Sequence, residues 1–234
     1  MRGDADVAAA AALLAEPTRA ALVLAVIEDG PLPASELAAR AGIAPSTASE
    51  HLGRLIDGGF LTTEKSGRHR YYDLADPAVA AAVEALAVVA PQPPARSLRD
   101  ATRSDLLRYA RTCYDHLAGE VGVALSRALK RDGVLVRRDG TYGLGRRAKT
   151  RLAALGIDLG QLERKRRPLV LGCFDWSERE LHVAGALGAA LAEHLFALGW
   201  IKRRAGNRSI ELTDAGRAGL ASEFGVDFAG GRAA

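Results

Sequence analysis

Pro45-Ser46-Thr47-Ala48-Ser49-Glu50-His51-Leu52-Gly53-Arg54-Leu55-Ile56 decides how the first part of this chain folds. Pro45 and Ser46 are helix-start signals, and Gly58-Gly59 is a stop. Ala48, Leu52 and Leu55 recur at helical spacing and predict a core-facing stripe, which leaves Ser46, Thr47, Ser49, Glu50 and Arg54 outside. Upstream, Ala34-Ser35-Glu36-Leu37-Ala38-Ala39-Arg40 is a short helix ended by Gly42. Two short helices joined by a glycine-containing turn make a helix-turn-helix unit. Downstream, residues 60–64 and 69–74 are strand-like, and Lys65-Ser66-Gly67-Arg68 between them is a turn sequence. A hairpin directly after the second helix is a wing.

Further out, Glu16-Pro17-Thr18-Arg19 opens a helix with proline in its first turn. It runs through Leu22, Leu24, Val26 and Ile27 to Gly30-Pro31. Residues 8–14 read as a helix by their alanine content, and residues 77–89 as an apolar helix. Pro91-Gln92-Pro93-Pro94 cannot continue it. The expected organisation is therefore a winged helix-turn-helix over 1–90, a proline-rich linker over 91–97, and a C-terminal domain over 98–234.

Four of these elements occur together in a fixed order. Leu14-Ala15-Glu16-Pro17-Thr18-Arg19, the Leu37-Ala38 helix, Pro45 to Leu52, and Gly67-Arg68-His69-Arg70-Tyr71-Tyr72 resemble the winged helix-turn-helix of the ArsR/SmtB family of bacterial transcriptional repressors. The resemblance covers about residues 8–90. It implies a homodimer whose terminal helices pair, and a pseudo-palindromic operator in double-stranded DNA. The apolar faces of residues 5–14 and 77–90 suit such an interface, or packing against the second domain.

In a unit of this kind the recognition helix enters the major groove. Ser46, Thr47, Ser49, Glu50 and Arg54 are the expected DNA-facing residues, while His51 either contacts DNA or packs. On the wing, Lys65, Arg68, His69 and Arg70 suit phosphate or minor-groove contact. Tyr71 and Tyr72 are adjacent on one strand, so only one can face outward. The metal sites that the resemblance implies would lie at residues 34–38 or on the helix after the wing. Neither stretch carries a thiol or an imidazole, so any sensor is expected in the second domain.

That domain contains an internal repeat. Cys113-Tyr114-Asp115-His116-Leu117-Ala118-Gly119 recurs as Cys173-Phe174-Asp175, six inserted residues, and His182-Val183-Ala184-Gly185. Gly133 then matches Gly199, Gly140 matches Gly206, and Leu144 and Leu152 match Leu212 and Leu220. Leu155-Gly156-Ile157-Asp158-Leu159 matches Phe224-Gly225-Val226-Asp227-Phe228. The copies span about 113–160 and 173–228. Each is expected to be a long helix (115–131 and 181–198), a hairpin (134–144 and 200–212) and a closing helix (145–155 and 213–223), with Thr213 as an N-cap. The fold class is thus mainly α with short β-hairpins, the second domain being two winged-helix-like repeats about a pseudo-twofold axis.

Cys113 and His116, three apart on one helix face, have a spacing that suits two ligands of one ion. If the repeats converge, Cys113, His116, Cys173 and His182, with Asp115 or Asp175 as oxygen donors, make a soft-metal site for zinc, cadmium or lead. The alternatives are a thiol redox switch and simple packing. Trp176, Phe174, Tyr114 and Tyr109, with Arg111 and Arg179, offer a second possibility, a pocket for an organic effector.

Composition sets the remaining bounds. The chain has 234 residues and 48% hydrophobic content, enough for one large domain or two small ones. No apolar run is long enough to span a bilayer, so no membrane partner is expected. Two cysteines make no disulfide framework and fit a reducing, cytoplasmic compartment. No nucleophile elbow, Walker loop, dinucleotide fingerprint or zinc-protease helix occurs, so catalysis is not expected. The net charge of +4 is unevenly spread: −4 over residues 1–98, +9 over 99–167 and −1 over 168–234. The reading is a homodimeric DNA-binding repressor released by an effector. A protein-interaction module is the competing class.

Overall fold

The computed structural model describes residues 5–92, 94–205 and 207–228. The chain divides into two compact units, Met1–Glu84 and Ala85–Ala234, with the boundary inside a helix rather than in the proline-rich stretch that follows it.

The first unit runs α1 (Val7–Leu14), α2 (Pro17–Asp29), β1 (Leu32–Pro33), α3 (Ala34–Ala41), α4 (Pro45–Asp57), β2 (Leu61–Ser66), β3 (His69–Leu74) and α5 (Pro77–Val89), which crosses the boundary. Its sheet has the order β1-β3-β2; the two-residue β1 has no counterpart in the sequence expectation. Leu22, Val23, Leu37, Ala48, Leu52, Leu55 and Leu61 are fully or almost fully buried, so the apolar stripe of α4 faces inward as its spacing requires. The wing is longer than the sequence suggests. Ser66 pairs with His69 across a two-residue turn, in which Gly67 has φ +59°. That left-handed backbone is the conformation for which glycine is favoured.

The Glu16-Pro17-Thr18-Arg19 sequence acquires a mechanical meaning. Glu16 caps α2 by accepting a hydrogen bond from the Arg19 backbone N–H at 2.8 Å. The Arg19 guanidinium reaches back to the last turn of α1 and donates to the carbonyls of Leu13 and Ala12, at 2.6 and 2.8 Å. One short motif therefore starts one helix and ends another.

The second unit begins with α6 (Leu98–Tyr109), capped by Ser97 and absent from the sequence expectation. The first repeat follows as β4 (Arg111–Cys113), β5 (His116–Ala118), α7 (Gly119–Arg131), β6 (Leu135–Arg138), β7 (Thr141–Leu144) and α8 (Ala148–Ala154), with a short α9 (Leu159–Glu163) after it. The second repeat is β8 (Leu171–Phe174), β9 (Leu181–Ala184), α10 (Gly185–Ala197), β10 (Ile201–Arg203), β11 (Ile210–Leu212) and α11 (Asp214–Phe224). Each repeat is hairpin, helix, hairpin, helix. Gly206, one of the matched glycines, lies outside the described residues.

The long helices start later than expected, because residues 116–118 and 181–184 are strands. Gly119 and Gly185 mark the junction, each with φ +78°. A β-carbon there would sit 2.6 Å from the Arg108 carbonyl oxygen and 2.7 Å from that of Pro168, respectively. Only glycine turns the chain from strand to helix at so close an approach.

The repeats interlock. β5 packs against β9 and α10, and β9 against α7. Leu117, Val121, Leu125, Leu129, Val183, Leu187, Leu191 and Leu195 share one buried core. The Val183 backbone N–H donates to Ser126 Oγ at 2.8 Å, and Tyr142 Oη donates to the Leu181 carbonyl at 3.1 Å. Thr213 caps α11 as predicted, accepting from the Gly216 N–H at 3.0 Å.

Candidate DNA interface and cysteine–histidine centre

In the first unit, Ser46, Thr47, Ser49, Glu50 and Arg54 are exposed along one side of α4, and Lys65, Arg68, His69 and Arg70 are exposed on the wing. Local bonds already engage part of this row. Arg54 donates to Glu50 at 2.7 Å, one turn away, and Ser49 Oγ donates to the Pro45 carbonyl at 3.0 Å. The Glu50–Arg54 pair gives the carboxylate a cation of its own, which reduces its repulsion of phosphate. His51 stands apart from the row: it is half-buried, and its Nδ1 lies 3.5 Å from Glu16 Oε2 on α2. Tyr72 is buried and Tyr71 faces the other side.

In the second unit, the two hairpins bring together all four of the thiols and imidazoles singled out in the sequence. The ligand atoms of Cys113, His116, Cys173 and His182 lie within 4.8 Å of one another. The helical geometry expected for the first pair is replaced by a strand geometry. Cys113 lies directly opposite His116 in β4–β5, and Cys173 directly opposite His182 in β8–β9. A spacing of three closes a two-residue hairpin as readily as it aligns a helix face. In the second repeat the six extra residues lengthen the hairpin loop without disturbing the register.

Cys113 Sγ and Cys173 Sγ are 3.7 Å apart, and His116 Nε2 and His182 Nε2 are 3.1 Å apart. Both histidines and Cys113 are buried; Cys173 is half-buried. The aspartates stand behind the imidazoles rather than among the donors. Asp115 Oδ1 is 3.3 Å from His116 Nδ1, and Asp175 Oδ2 is 3.3 Å from His182 Nδ1. Each carboxylate is met by an arginine from the chain entering the other repeat. Arg167 pairs with Asp115, and Arg111 donates to Asp175 at 2.8 Å.

Asp175 is completely buried. It also accepts from the backbone N–H groups of Gly119, Ser177 and Glu178 and from Ser177 Oγ, at 2.7–3.1 Å. Burial raises its pKa, but the contacts with His182 and Arg111 outweigh burial and hold the carboxyl well below the ordinary range. Asp115 is shifted in the same direction, burial being outweighed by His116 and Arg167. The hydrogen bond with Cys113, followed by those with the imidazoles, lowers the Cys173 pKa against the effect of desolvation. For His116, burial disfavours protonation, yet contacts with Asp115 and Cys173 raise the pKa overall. These contacts favour the thiolate of Cys173, the form in which a sulfur binds a metal ion or reacts.

The aromatic residues named in the sequence make pairwise contacts. The Arg111 guanidinium lies 4.3 Å from the centroid of Trp176, and that of Arg179 lies 5.1 Å from Phe174. Tyr109 packs edge-on against Phe228 and accepts from Arg217 at 2.9 Å. The proposed cations are stacked on the proposed aromatics. Sequence reasoning missed the carboxylate–imidazole pairing and the glycine junctions. The repeated Ala-Gly that follows each hairpin was the available signal.

A family model described as a helix-turn-helix domain matches residues 14–64. The chain is 38% identical over 221 residues to the HTH-type transcriptional regulator YdfF of Bacillus subtilis (strain 168), covering 94% of this chain and 98% of that protein. Among solved structures, the transcriptional repressor BigR of Xylella fastidiosa is 30% identical; the match covers 38% of this chain and 89% of that one, with a TM-score of 0.35. The homodimeric winged helix-turn-helix DNA-binding domain of Mb0332 from Mycobacterium bovis is 28% identical, over 38% of this chain and 89% of that one, with a TM-score of 0.33.

Proposed function

We propose that this chain, which belongs to the HTH-type transcriptional regulators, has a first domain of the ArsR-like winged form and acts in the cytoplasm as a homodimeric repressor. It reads a pseudo-palindromic operator in double-stranded DNA and leaves it when the second domain takes up an effector. The observation that carries the DNA reading is the exposed row Ser46, Thr47, Ser49, Glu50 and Arg54 beside the wing cations Lys65, Arg68 and Arg70. Major-groove contact from the first and phosphate contact from the second follow from their chemistry. The apolar helices α1 and α5 supply the dimer surface: Val7, Leu86 and Val89 are exposed large hydrophobic residues. Among the described residues, no single helix is long and apolar enough to cross a membrane.

The effector is a metal ion such as zinc, cadmium or lead, taken up at the cysteine–histidine centre. Four donor atoms within 4.8 Å support this reading over that of an organic ligand. A thiol-based redox response is the second reading, favoured by the 3.7 Å separation of the two sulfurs. Fluorescence anisotropy on duplex DNA selected from a random pool tests the whole. Affinity should fall linearly with salt on logarithmic axes. A flat salt response would instead point to a protein-interaction module. Addition of zinc, cadmium or lead to reduced protein should release the DNA, and an unchanged isotherm with all three would remove the metal effector.

A further inference from the structure

From the dimensions of the cysteine–histidine centre we infer that it holds one tetrahedrally coordinated divalent ion of the zinc class per chain, shared equally by the two repeats. The ligands are Sγ of Cys113 and Cys173 and Nε2 of His116 and His182, and Asp115 and Asp175 are positioning residues behind the imidazoles. This rests on the proposal that the centre is a metal site, and goes further in naming the donor atoms, the geometry and the class of ion.

Metal–sulfur bonds of about 2.3 Å and metal–nitrogen bonds of about 2.0–2.1 Å, set at tetrahedral angles, give edges of about 3.8 Å between sulfurs and about 3.3 Å between nitrogens. The corresponding separations here are 3.7 and 3.1 Å, and the sulfur–nitrogen edges, which lie within 4.8 Å, close towards about 3.6 Å on ion binding. A disulfide needs its sulfurs about 2.0 Å apart, so the thiols are spaced as two ligands and not as a bonded pair. A larger ion such as cadmium or lead would have to spread both edges.

The imidazoles are oriented for the same ion. His116 Nδ1 hydrogen-bonds Asp115 Oδ1 at 3.3 Å, a contact that in the neutral ring places the proton on Nδ1, and His182 Nδ1 lies 3.3 Å from Asp175 Oδ2 without the alignment of a hydrogen bond. With both rings neutral and protonated on Nδ1, the two Nε2 lone pairs, 3.1 Å apart, face each other in a buried site. A cation between them converts that repulsion into two bonds. A carboxylate behind each ligating histidine is the arrangement that fixes ring orientation and raises ligand basicity.

The donor set narrows the class of ion. Two sulfurs and two nitrogens suit zinc and disfavour magnesium, calcium and manganese, which take oxygen. The two carboxylates are engaged with histidine and arginine and complete no oxygen shell. A tetrahedral frame also disfavours copper(II) and nickel(II), which prefer square-planar surroundings. Finally, the ligands come two from each hairpin, in identical register. The ion is therefore a clasp between the repeats, and its binding energy adds to the stability of the second unit.

The test uses the reduced, full-length chain. Native mass spectrometry with zinc should show one ion per chain. Cobalt(II) in its place should give the intense visible bands of tetrahedral cobalt together with a thiolate-to-metal charge-transfer band. The weak spectrum of six-coordinate cobalt, or an unchanged spectrum in H116Q and H182Q, would overturn the assignment of geometry and donors while leaving a metal site in place. Failure of the wild-type chain to retain either ion would remove the metal reading itself. Competition with a chromophoric chelator should show zinc affinity reduced about 10- to 100-fold in D115N and D175N. D115N is the decisive member of that pair, because its carboxylate is about one-third exposed, outside the buried core that Asp175 anchors. Unchanged affinity and cobalt spectrum in D115N would end the positioning role.

Discussion

The two repeats of the second unit share a plan and differ in their wiring. Both place a cysteine opposite a histidine in a short hairpin, and both turn into a helix at a glycine with φ +78°. Around the carboxylates they diverge. Asp115 sits in a two-residue turn, and both it and its partner Arg167 are about one-third exposed. Asp175 opens a longer loop and is completely buried with Arg111. The comparison shows which positions the centre holds fixed: the register of the donors and the strand-to-helix glycines. Loop length and the burial of the supporting carboxylate are free to vary.

Breaking the arginines should expose the difference most strongly. R111A leaves Asp175 buried without its cation and should cost about 3–5 kcal/mol. R167A removes a partly exposed pair and should cost under about 1 kcal/mol. Both tryptophans, Trp176 and Trp200, lie in the second unit, so denaturant titration followed by their fluorescence isolates its unfolding. Equal losses would mean that the repeats are wired alike after all.

The glycines test the shared part. G119A and G185A each force a side chain into left-handed backbone and against a carbonyl, and each should destabilise by about 2–4 kcal/mol. A loss in only one would break the equivalence of the junctions.

Acid titration sharpens the electrostatic contrast. Both carboxyls lie below their unfolded value of about 3.9. Their stabilisation is therefore present above about pH 4 and is lost as pH falls through the lower folded values. The shift is the larger at Asp175, so D175N should flatten the acid limb of the stability profile more than D115N. The opposite order, read from acid unfolding of the two variants, would contradict the burial difference.

The smallest effect concerns charge. The first repeat and its tail are strongly basic and the second is close to neutral. Replacing Arg164, Lys165 and Arg166 with alanine should lower DNA affinity uniformly across sequences. The salt slope should fall by about 0.9 for each phosphate that is no longer neutralised. The control K202A/R203A in the second repeat should leave the slope unchanged. Arg167 continues the basic run in sequence but is engaged with Asp115, and it is left out of the substitution.

The first unit was the more legible in sequence because its signals are local. Pro45, Gly58 and Gly67 punctuate the chain where the helix and wing begin and end, and Ala48, Leu52 and Leu55 fix which face is buried. The duplication was legible from its cysteines, histidines and glycines. The hairpins that carry the centre were not, because strands of three or four residues leave too short a pattern to compete with a helical reading. Tyr114 takes φ +58° in the first of those turns without a glycine to announce it. The partners of Asp115 and Asp175 come from 52 and 64 residues away, a separation at which sequence spacing carries no information. β1 and α6 escaped for a simpler reason: one has two residues, and the other buries none.

Arg19 has a consequence for how the first unit is assembled. α1 buries no residue of its own, leaves α2 at a bend of 89°, and is tied to it through carbonyls that one guanidinium holds. A helix of eight residues with so little to pack against has almost no intrinsic stability. If the proposed dimer covers its apolar face, the order of that helix follows mass action: it rises with protein concentration and frays on dilution. Amide exchange in α1 then becomes a gauge of self-association that needs neither DNA nor effector.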